Sequence, residues 1–542
     1  MTARAVVIGG GVAGLASAAL LAQDGFEVEL LEKNPTLGGR AGTWDHHGFR
    51  FDTGPSWYLM PQVFDHFYRL LGTSASEQLD LVRLEPAYRV FFENEAAPLD
   101  LTSDRARVVE TFERFQPGAG DGLERYLDSA QTAYELARRR FLYTTYQSLP
   151  RLLTPDVLRH APRLLRLLLQ PLDRFVAGHV QDRRLAQVLG YPAVFLGTSP
   201  DRAPSMYHLM SHLDLTDGVL YPRGGFSTVV ESLRRLAEQA GVTISTGTEV
   251  TQILTRPTAA GRRGRRRRAR VRGVLVTGVD GERALSTDVV VGAADLHHIE
   301  NVLLPRELRS YPEAWWARRD PGPGAVLVML GVRGALPQLA HHSLMFTSDW
   351  QRSFEAVRGL GAMPDPTSLY VCRPSATDDS VAPAGHENLF VLVPVPADPR
   401  WGHGGVDGAG DPRVEAVADA AVSQISAWSG IPDLRDRIVV RRTVGPADFV
   451  DDVHAWCGGA LGPAHTLRQS AFLRARNMSS AVSGLLYAGH GTIPGIGLPM
   501  CLISAELAVK AVRGDTSTGP LPEPLVPRWR QPGRRSRLSG AA

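Results

Sequence analysis

The stretch RAVVIGGGVAGLASAALLAQDGFEVELLEKNPTLGGR (Arg4–Arg40) decides the fold. It reads as a short apolar strand (Ala5–Ile8), a glycine turn, an Ala/Leu-rich helix and a second strand (Phe26–Leu31) that ends at Glu32. Gly9, Gly11 and Gly14 supply G-x-G-x-x-G spacing. In such a turn the first glycine permits the tight bend and the second lets the backbone approach a pyrophosphate. The third lets the helix pack against the strand. The helix start at Gly11, Val12 and Ala13 offers free N–H groups and the positive end of a dipole to phosphates. Glu32, 23 residues after Gly9 and next to Lys33, is spaced to accept hydrogen bonds from ribose hydroxyls. The strand–turn–helix context makes this a dinucleotide site.

Working outward, Gly38-Gly39-Arg40 points to FAD rather than NAD. The glycine pair lets the chain pass close to a cofactor, and Arg40 can pair with a phosphate or shield a flavin's charge. At the far end, Leu485 to Thr492 is a strand and glycine turn, followed by Pro494-Gly495-Ile496-Gly497-Leu498-Pro499 and a small-residue helix to about Val512. A helix start aimed into that turn can offer its dipole to a flavin carbonyl.

At 542 residues the chain is too long for one compact core, and 44% hydrophobic with 21% charged residues is a globular composition. Net charge is +3, so no acidic polymer is implied; lysine occurs only at Lys33 and Lys510. Cys372, Cys457 and Cys501 show no CxxC spacing, which argues against a disulfide framework or zinc site and suits a reducing compartment. The first strand starts by residue 5, leaving no room ahead of it for a signal peptide. No apolar run approaches the roughly 20 residues of a bilayer span.

A strand over 48–52, a turn at 53–56 and a helix from Pro61 to Leu71 follow the opening unit. Strands return over Tyr88–Leu101, and helices dominate from Ala106 to about Leu189. Residues 138–184 carry ten Arg against three Asp, interleaved with leucine clusters. Two readings stand: a surface lying in a membrane interface, or a helical lobe with its leucines inside. Pro155, Pro162 and Pro171 are expected to break this run into short helices. Ser227 is a candidate N-cap for a helix over 229–240. Two β-runs follow at 241–244 and 248–253, the second expected to rejoin the dinucleotide sheet. Gly261–Arg272 carries eight arginines without aromatics, which suits a solvated hairpin loop better than nucleic-acid binding. The buried-type strand Asp288–Gly292 suits the end of a Rossmann-like half. Residues 296–450 read as a substrate lobe, 401–411 as a flexible loop and the tail beyond Thr516 as disordered.

The N-terminal fingerprint, FDTGPS (51–56), YPRGGFSTVVESL (221–233), LAHHS (339–343), the run Ser368–Pro396 and GHGTIPGIGLP (489–499) together resemble the bacterial-type carotenoid (phytoene) desaturases of the FAD amine oxidase superfamily. The resemblance runs from Arg4 to about Val512. It implies an α/β fold: a Rossmann-like FAD-binding domain (1–85, 221–298, 471–515), a mixed α+β substrate domain (299–470) and a helical membrane-facing region (86–220), before a basic tail (516–542). It implies that Gly9, Gly11, Val12, Ala13, Gly14, Glu32, Lys33, Gly38, Gly39 and Arg40 hold the FAD diphosphate and ribose. By the same resemblance Val250 is expected to meet the adenine, and Gly489, His490, Gly497, Leu498, Pro499 and Met500 to lie by the isoalloxazine. Where many relatives read GAGTHPGAGIPG, this chain has His490, Ile493 and Leu498-Pro499-Met500.

The implied reaction moves hydride from an allylic carbon to flavin N5 and loses a proton from the adjacent carbon, so neither a serine triad nor a metal is needed. His490 or a water is the candidate proton acceptor. The leading expectation is desaturation of phytoene toward lycopene by a cytoplasmic protein peripheral on the inner membrane, with quinone or oxygen as electron acceptor. A related enzyme on a C30 or hydroxylated polyene, and an amine oxidase, are the alternatives. No nucleic-acid partner is expected, and an oligomer is compatible with the sequence.

Overall fold

A computed structural model describes residues 2–152, 154–258 and 269–527. Residues 259–268, where a solvated arginine loop is expected, and the tail beyond 527 lie outside the described residues. The start of the tail expected to be disordered, 516–527, instead packs on the protein, with Leu521 and Leu525 buried in its core. The opening apolar run pairs as a parallel strand (Arg4–Ile8) at the centre of a five-stranded sheet. Its order is 485–487, 289–292, 4–8, 27–31, 243–245, and every neighbour runs parallel. The strands read as continuous Val/Ile/Leu because both faces are covered. One face takes the helices Val12–Gln23, Ser227–Gln239 and Leu498–Arg513, whose Leu15, Leu20, Leu233 and Leu507 share one core with Val7 and Leu30. On the other face Val6, Ile8 and Val290 pack against Ile253, Val274 and Val276 of an antiparallel sheet.

That second sheet corrects one expectation. Strand Glu249–Pro257 pairs with Ala269–Gly278, while the short run Thr243–Ser245 is the one that joins the parallel sheet beside residues 29–31. Three residues suffice for a parallel edge; the longer, half-polar strand instead builds a hairpin with one wet face. The proposed Ser227 cap is also displaced. Ser227 is the first helical residue, and its N–H and that of Phe226 donate to the Asp52 carboxylate at 3.3 and 2.8 Å. The cap comes from a strand 174–175 residues upstream in the motif FDTGPS, a contact invisible to local spacing. Burial pushes the Asp52 carboxyl up to about 7, against these hydrogen bonds.

A seven-stranded mixed sheet forms the floor of the second lobe, in the order 438–444, 324–333, 386–395, 369–372, 342–346, 88–92, 99–101. Helix Pro412–Ser429 buries Val414, Ala418, Val422 and Ile425 on one face. Register aligns Leu327, Leu392, Tyr370 and Leu344 in one row across four strands. The glycine run at 401–411 is packed rather than loose: Gly405 N–H donates to Thr443 Oγ1 at 2.8 Å, and a Cβ on Gly404 would lie 2.0 Å from the Thr443 carbonyl.

Residues 105–217 are largely helical. Pro155 sits in the first turn of helix Pro155–Leu169 and Pro171 caps the next, but Pro162 lies inside the helix and does not end it. The carbonyl left without a donor there is that of Leu158, on an exposed face where water can serve. No helix among the described residues is long and apolar enough to cross a membrane.

Candidate active site

The sequence-derived residues converge on a single cavity of about 470 Å³. Gly9, Gly11, Val12, Ala13, Glu32, Lys33, Gly38, Gly39, Arg40, Val250, Gly489, His490, Gly497, Leu498, Pro499 and Met500 all line it. Gly14 does not. It lies beneath, where a Cβ would stand 1.8 Å from the Gly9 carbonyl. Its role is therefore the close approach of helix to turn.

The helix Val12–Gln23 begins at Gly11 with no side-chain cap, so its first N–H groups open into the cavity. Gly38, at φ +113°, lets the 38–40 turn pass beneath them, and a Cβ on Gly11 would meet only the Gly38 carbonyl at 3.7 Å. Glu32 accepts from Gly10 N–H at 2.7 Å and Asn34 N–H at 2.8 Å, which fixes its carboxylate at the end of the second strand. Lys33 is spent differently: its Nζ donates to the Asp451 carbonyl, pinning helix Pro446–Val453 over the rim. At the other end, Gly489 N–H donates to Ser504 Oγ at 2.7 Å, holding the last turn on helix Leu498–Arg513. An uncapped anion-seeking helix start, a ribose-height carboxylate and a backbone cradle within one cavity fit FAD.

Arg40 is half-buried in the cavity wall, donating to the Ala460 carbonyl at 3.1 Å and standing 3.7 Å from Asp295. The His490 Nε2 lies 3.6 Å from the same carboxylate and makes no hydrogen bond. Burial and the nearby Arg40 charge lower His490 to about 4, so its imidazole is neutral at ordinary pH. Burial raises the Asp295 carboxyl, but His490 and Arg40 more than offset it and hold it at about 2. Asp295 also caps helix Leu296–Asn301 through His297 N–H at 2.9 Å.

Sequence reasoning missed Asp295, although it stands just beyond the carboxyl end of a parallel strand, where ligands of such sheets bind. It also missed His465 and Tyr207. Tyr207 OH lies 2.6 Å from His465 Nδ1, and Ile496 N–H donates to His465 Nε2 at 3.2 Å, so this pair buttresses the final glycine turn. No local signal links positions so distant in sequence.

The cavity is also lined by apolar side chains, among them Phe141, Leu142, Tyr146, Met206 and Met210. Phe195, Tyr370, Leu392 and Leu461 are shared with a second cavity of about 1110 Å³ lined by Leu344, Phe346, Trp350 and Phe354. The row Leu327–Leu392–Tyr370–Leu344 thus floors a path through both.

Residues 12–513 match the family of flavin-containing amine oxidoreductases. The chain belongs to that family. Within it the chain falls among the carotenoid desaturases: it is 42% identical over 509 residues (94% of this chain, 98% of the relative) to a carotenoid 3,4-desaturase of Haloarcula japonica. It is 32% identical to a zeta-carotene-forming phytoene desaturase of Myxococcus xanthus (94% and 93% covered). It is 28% identical to a 4,4'-diapophytoene desaturase of Staphylococcus aureus (95% and 100% covered). The fold is shared with an oxidoreductase from Methanosarcina mazei (TM-score 0.60, 17% identity, 94% and 100% covered) and with putrescine oxidase (TM-score 0.58, 14% identity, 95% and 99% covered). FAD is the cofactor of this carotenoid desaturase, as its glycine turns imply.

Proposed function

We propose that this chain desaturates a C40 polyene, and that the reacting bond lies toward one end of an extended carotenoid. The observation that carries the reading is the apolar floor running from beside the cofactor glycines, past Tyr370, into the larger second cavity. A long, stiff hydrocarbon fits a path of that kind and a small amine does not need one. The 42% identity to a 3,4-desaturase over nearly the whole chain supports reaction near a terminus. Phytoene-to-lycopene desaturation is the second reading, supported by the 32% identical phytoene desaturase.

Bound FAD would accept hydride from the allylic carbon. The protein's part is orientation, dryness and charge. Gly11–Ala13 and Glu32 hold the cofactor's diphosphate and ribose end, while the 489–500 turn and Arg40 border its ring. His490, neutral and with a free Nε2, is the proposed acceptor of the proton lost from the neighbouring carbon; the Asp295 carboxylate 3.6 Å away stabilises the imidazolium that results.

The polyene enters from a lipid surface in this reading. Leu158, Leu165 and Leu169 form one exposed stripe on helix Pro155–Leu169, with Arg159, Arg163 and Arg166 beside it. Exposed Phe472 packs 6.2 Å from Tyr146, which lines the cavity. Purified FAD-loaded protein in liposomes, given lycopene or phytoene separately, tests the assignment by chromatography of products. Lycopene gaining a double bond supports the terminal reading, and coloured polyenes from phytoene alone support the second. Both substrates returned unchanged would overturn the C40 reading and leave a C30 polyene as the substrate.

A further inference from the structure

Beside the floor row, one step along the same sheet face, three ligating side chains meet. His342 opens strand His342–Phe346, and the antiparallel register places it directly opposite Cys372. His341 precedes it, with the two imidazole centroids 4.6 Å apart. One nitrogen from each histidine and the Cys372 sulfur all lie within 4.8 Å of one another, and all three residues are at most 5% exposed.

The hydrogen bonding is what separates this cluster from ordinary core histidines. His341 Nδ1 is 2.8 Å from Thr377 Oγ1, and His342 Nδ1 is 2.7 Å from the Tyr370 hydroxyl. Each ring is thereby fixed in orientation through one nitrogen, while the Nε2 of each is buried without any partner. Buried polar atoms are nearly always paired, so two orphans side by side need a reason. A ring held at Nδ1 by a hydroxyl or carbonyl with its other nitrogen free is the arrangement of a metal-ligating histidine and its outer partner.

We propose that His341, His342 and Cys372 bind a single thiophilic d10 metal ion, Cu(I) in preference to Zn(II). Ligand atoms around such an ion, with bonds of about 2.0–2.3 Å, stand roughly 3.5–4 Å apart, so a closing shift of about 1 Å, within the play of the two Nδ1 hydrogen bonds and the Cys372 side chain, forms the site. Binding forms one sulfur–metal and two nitrogen–metal bonds and releases the thiol proton to solvent; no oxidation state changes. Two nitrogens and one thiolate satisfy three-coordinate Cu(I), and the thiolate cancels its charge. Zn(II) would want a fourth ligand and leave a net positive charge in a buried site, which is costly. Trp57 stacks on His342 (4.3 Å between centroids, 9° between planes) and lines the cofactor cavity, so an ion here would stiffen the cavity wall without taking part in hydride transfer.

The test uses the full FAD-loaded chain with the exposed thiol removed (Cys457→Ser). It is reduced, offered one equivalent of Cu(I) or Zn(II), desalted, and assayed for metal per chain and for thermal midpoint. The expected result is about one copper per chain, a raised midpoint, and at least tenfold less copper in Cys372→Ser and in His341→Gln. Flavin absorbance confirms that each variant has folded. X-ray absorption on the loaded parent should show one sulfur and two nitrogen neighbours, a readout that does not depend on either variant folding. Retention of zinc but not copper, with the same neighbours, keeps the site and overturns the copper preference. Copper held equally by Cys372→Ser, or a shell without sulfur, or retention below about a tenth of an ion per chain, overturns the site.

Discussion

A methyl group added to Gly489 would lie 3.6 Å from the Cβ of Ala13. The first helix and the last turn, nearly at opposite ends of the sequence, are therefore in contact in the wall of one cavity. In the proposed reading both ends of the chain hold the same FAD, so substitutions at either end should report on one ligand.

Gly14→Ala should abolish FAD retention. Its Cβ would fall 1.8 Å from the Gly9 carbonyl, and relieving that overlap must move the phosphate turn. Overpacking of this kind costs about 1–3 kcal/mol in stability. Flavin absorbance per mole of purified protein, together with the thermal midpoint, checks it. A fully yellow variant would refute the close-approach role.

Glu32→Ala should weaken FAD at least about tenfold, since it removes the acceptor of two backbone N–H groups as well as the proposed ribose contact. Glu32→Gln, which keeps a carbonyl acceptor, should recover part of the loss. Titration of the apoprotein with FAD measures both.

Stability should fall as pH drops from about 6.5 toward 4, in part through His490. Its folded value of about 4 is below that of the free imidazole, so the unfolded chain binds the extra proton across this window and unfolding becomes easier as acid is added. One such group contributes a slope of at most about 1.4 kcal/mol per pH unit. Denaturant titrations of His490→Asn should show a shallower slope between those limits, and an unchanged slope would mean that His490 titrates normally.

Asp52→Ala should destabilise the protein by about 1–2 kcal/mol, the usual cost of losing a helix cap. Because the capped groups are the N–H groups that open helix Ser227–Gln239, the loss should appear at that helix in amide exchange. Ser227→Ala should leave those amides protected.

Replacing Leu158, Leu165 and Leu169 with Glu should release the protein from anionic liposomes in sedimentation while leaving FAD bound. The three residues are 55–60% exposed, so the change removes an apolar stripe without opening a core. Equal sedimentation of variant and parent would remove this helix from the proposed membrane contact.

The opening βαβ unit was legible because its signals are local. Gly11, Glu32 and the alternation of apolar runs lie within 40 residues, and the turn that uses them is made by backbone geometry alone. The same holds for the strand–turn–helix at 485–513. The sequence misassigned the strand that completes the parallel sheet, because both 243–245 and 249–257 read locally as β-runs and nothing local says which neighbour each one pairs with. It misplaced the cap at Ser227, because the acceptor is Asp52 from another segment.

What the sequence determined by itself is the ligand-binding frame: a dinucleotide turn, a glycine pair with Arg40 and a closing glycine turn, each set by backbone conformations that few residues allow. What only the tertiary structure decided is which side chains share a space. Asp295 beside Arg40 and His490, His465 against Tyr207, Cys372 opposite His342 and the apolar floor through Tyr370 all depend on strand register and long-range packing. Those are fixed by burial across the whole chain, and no window of neighbouring residues contains them.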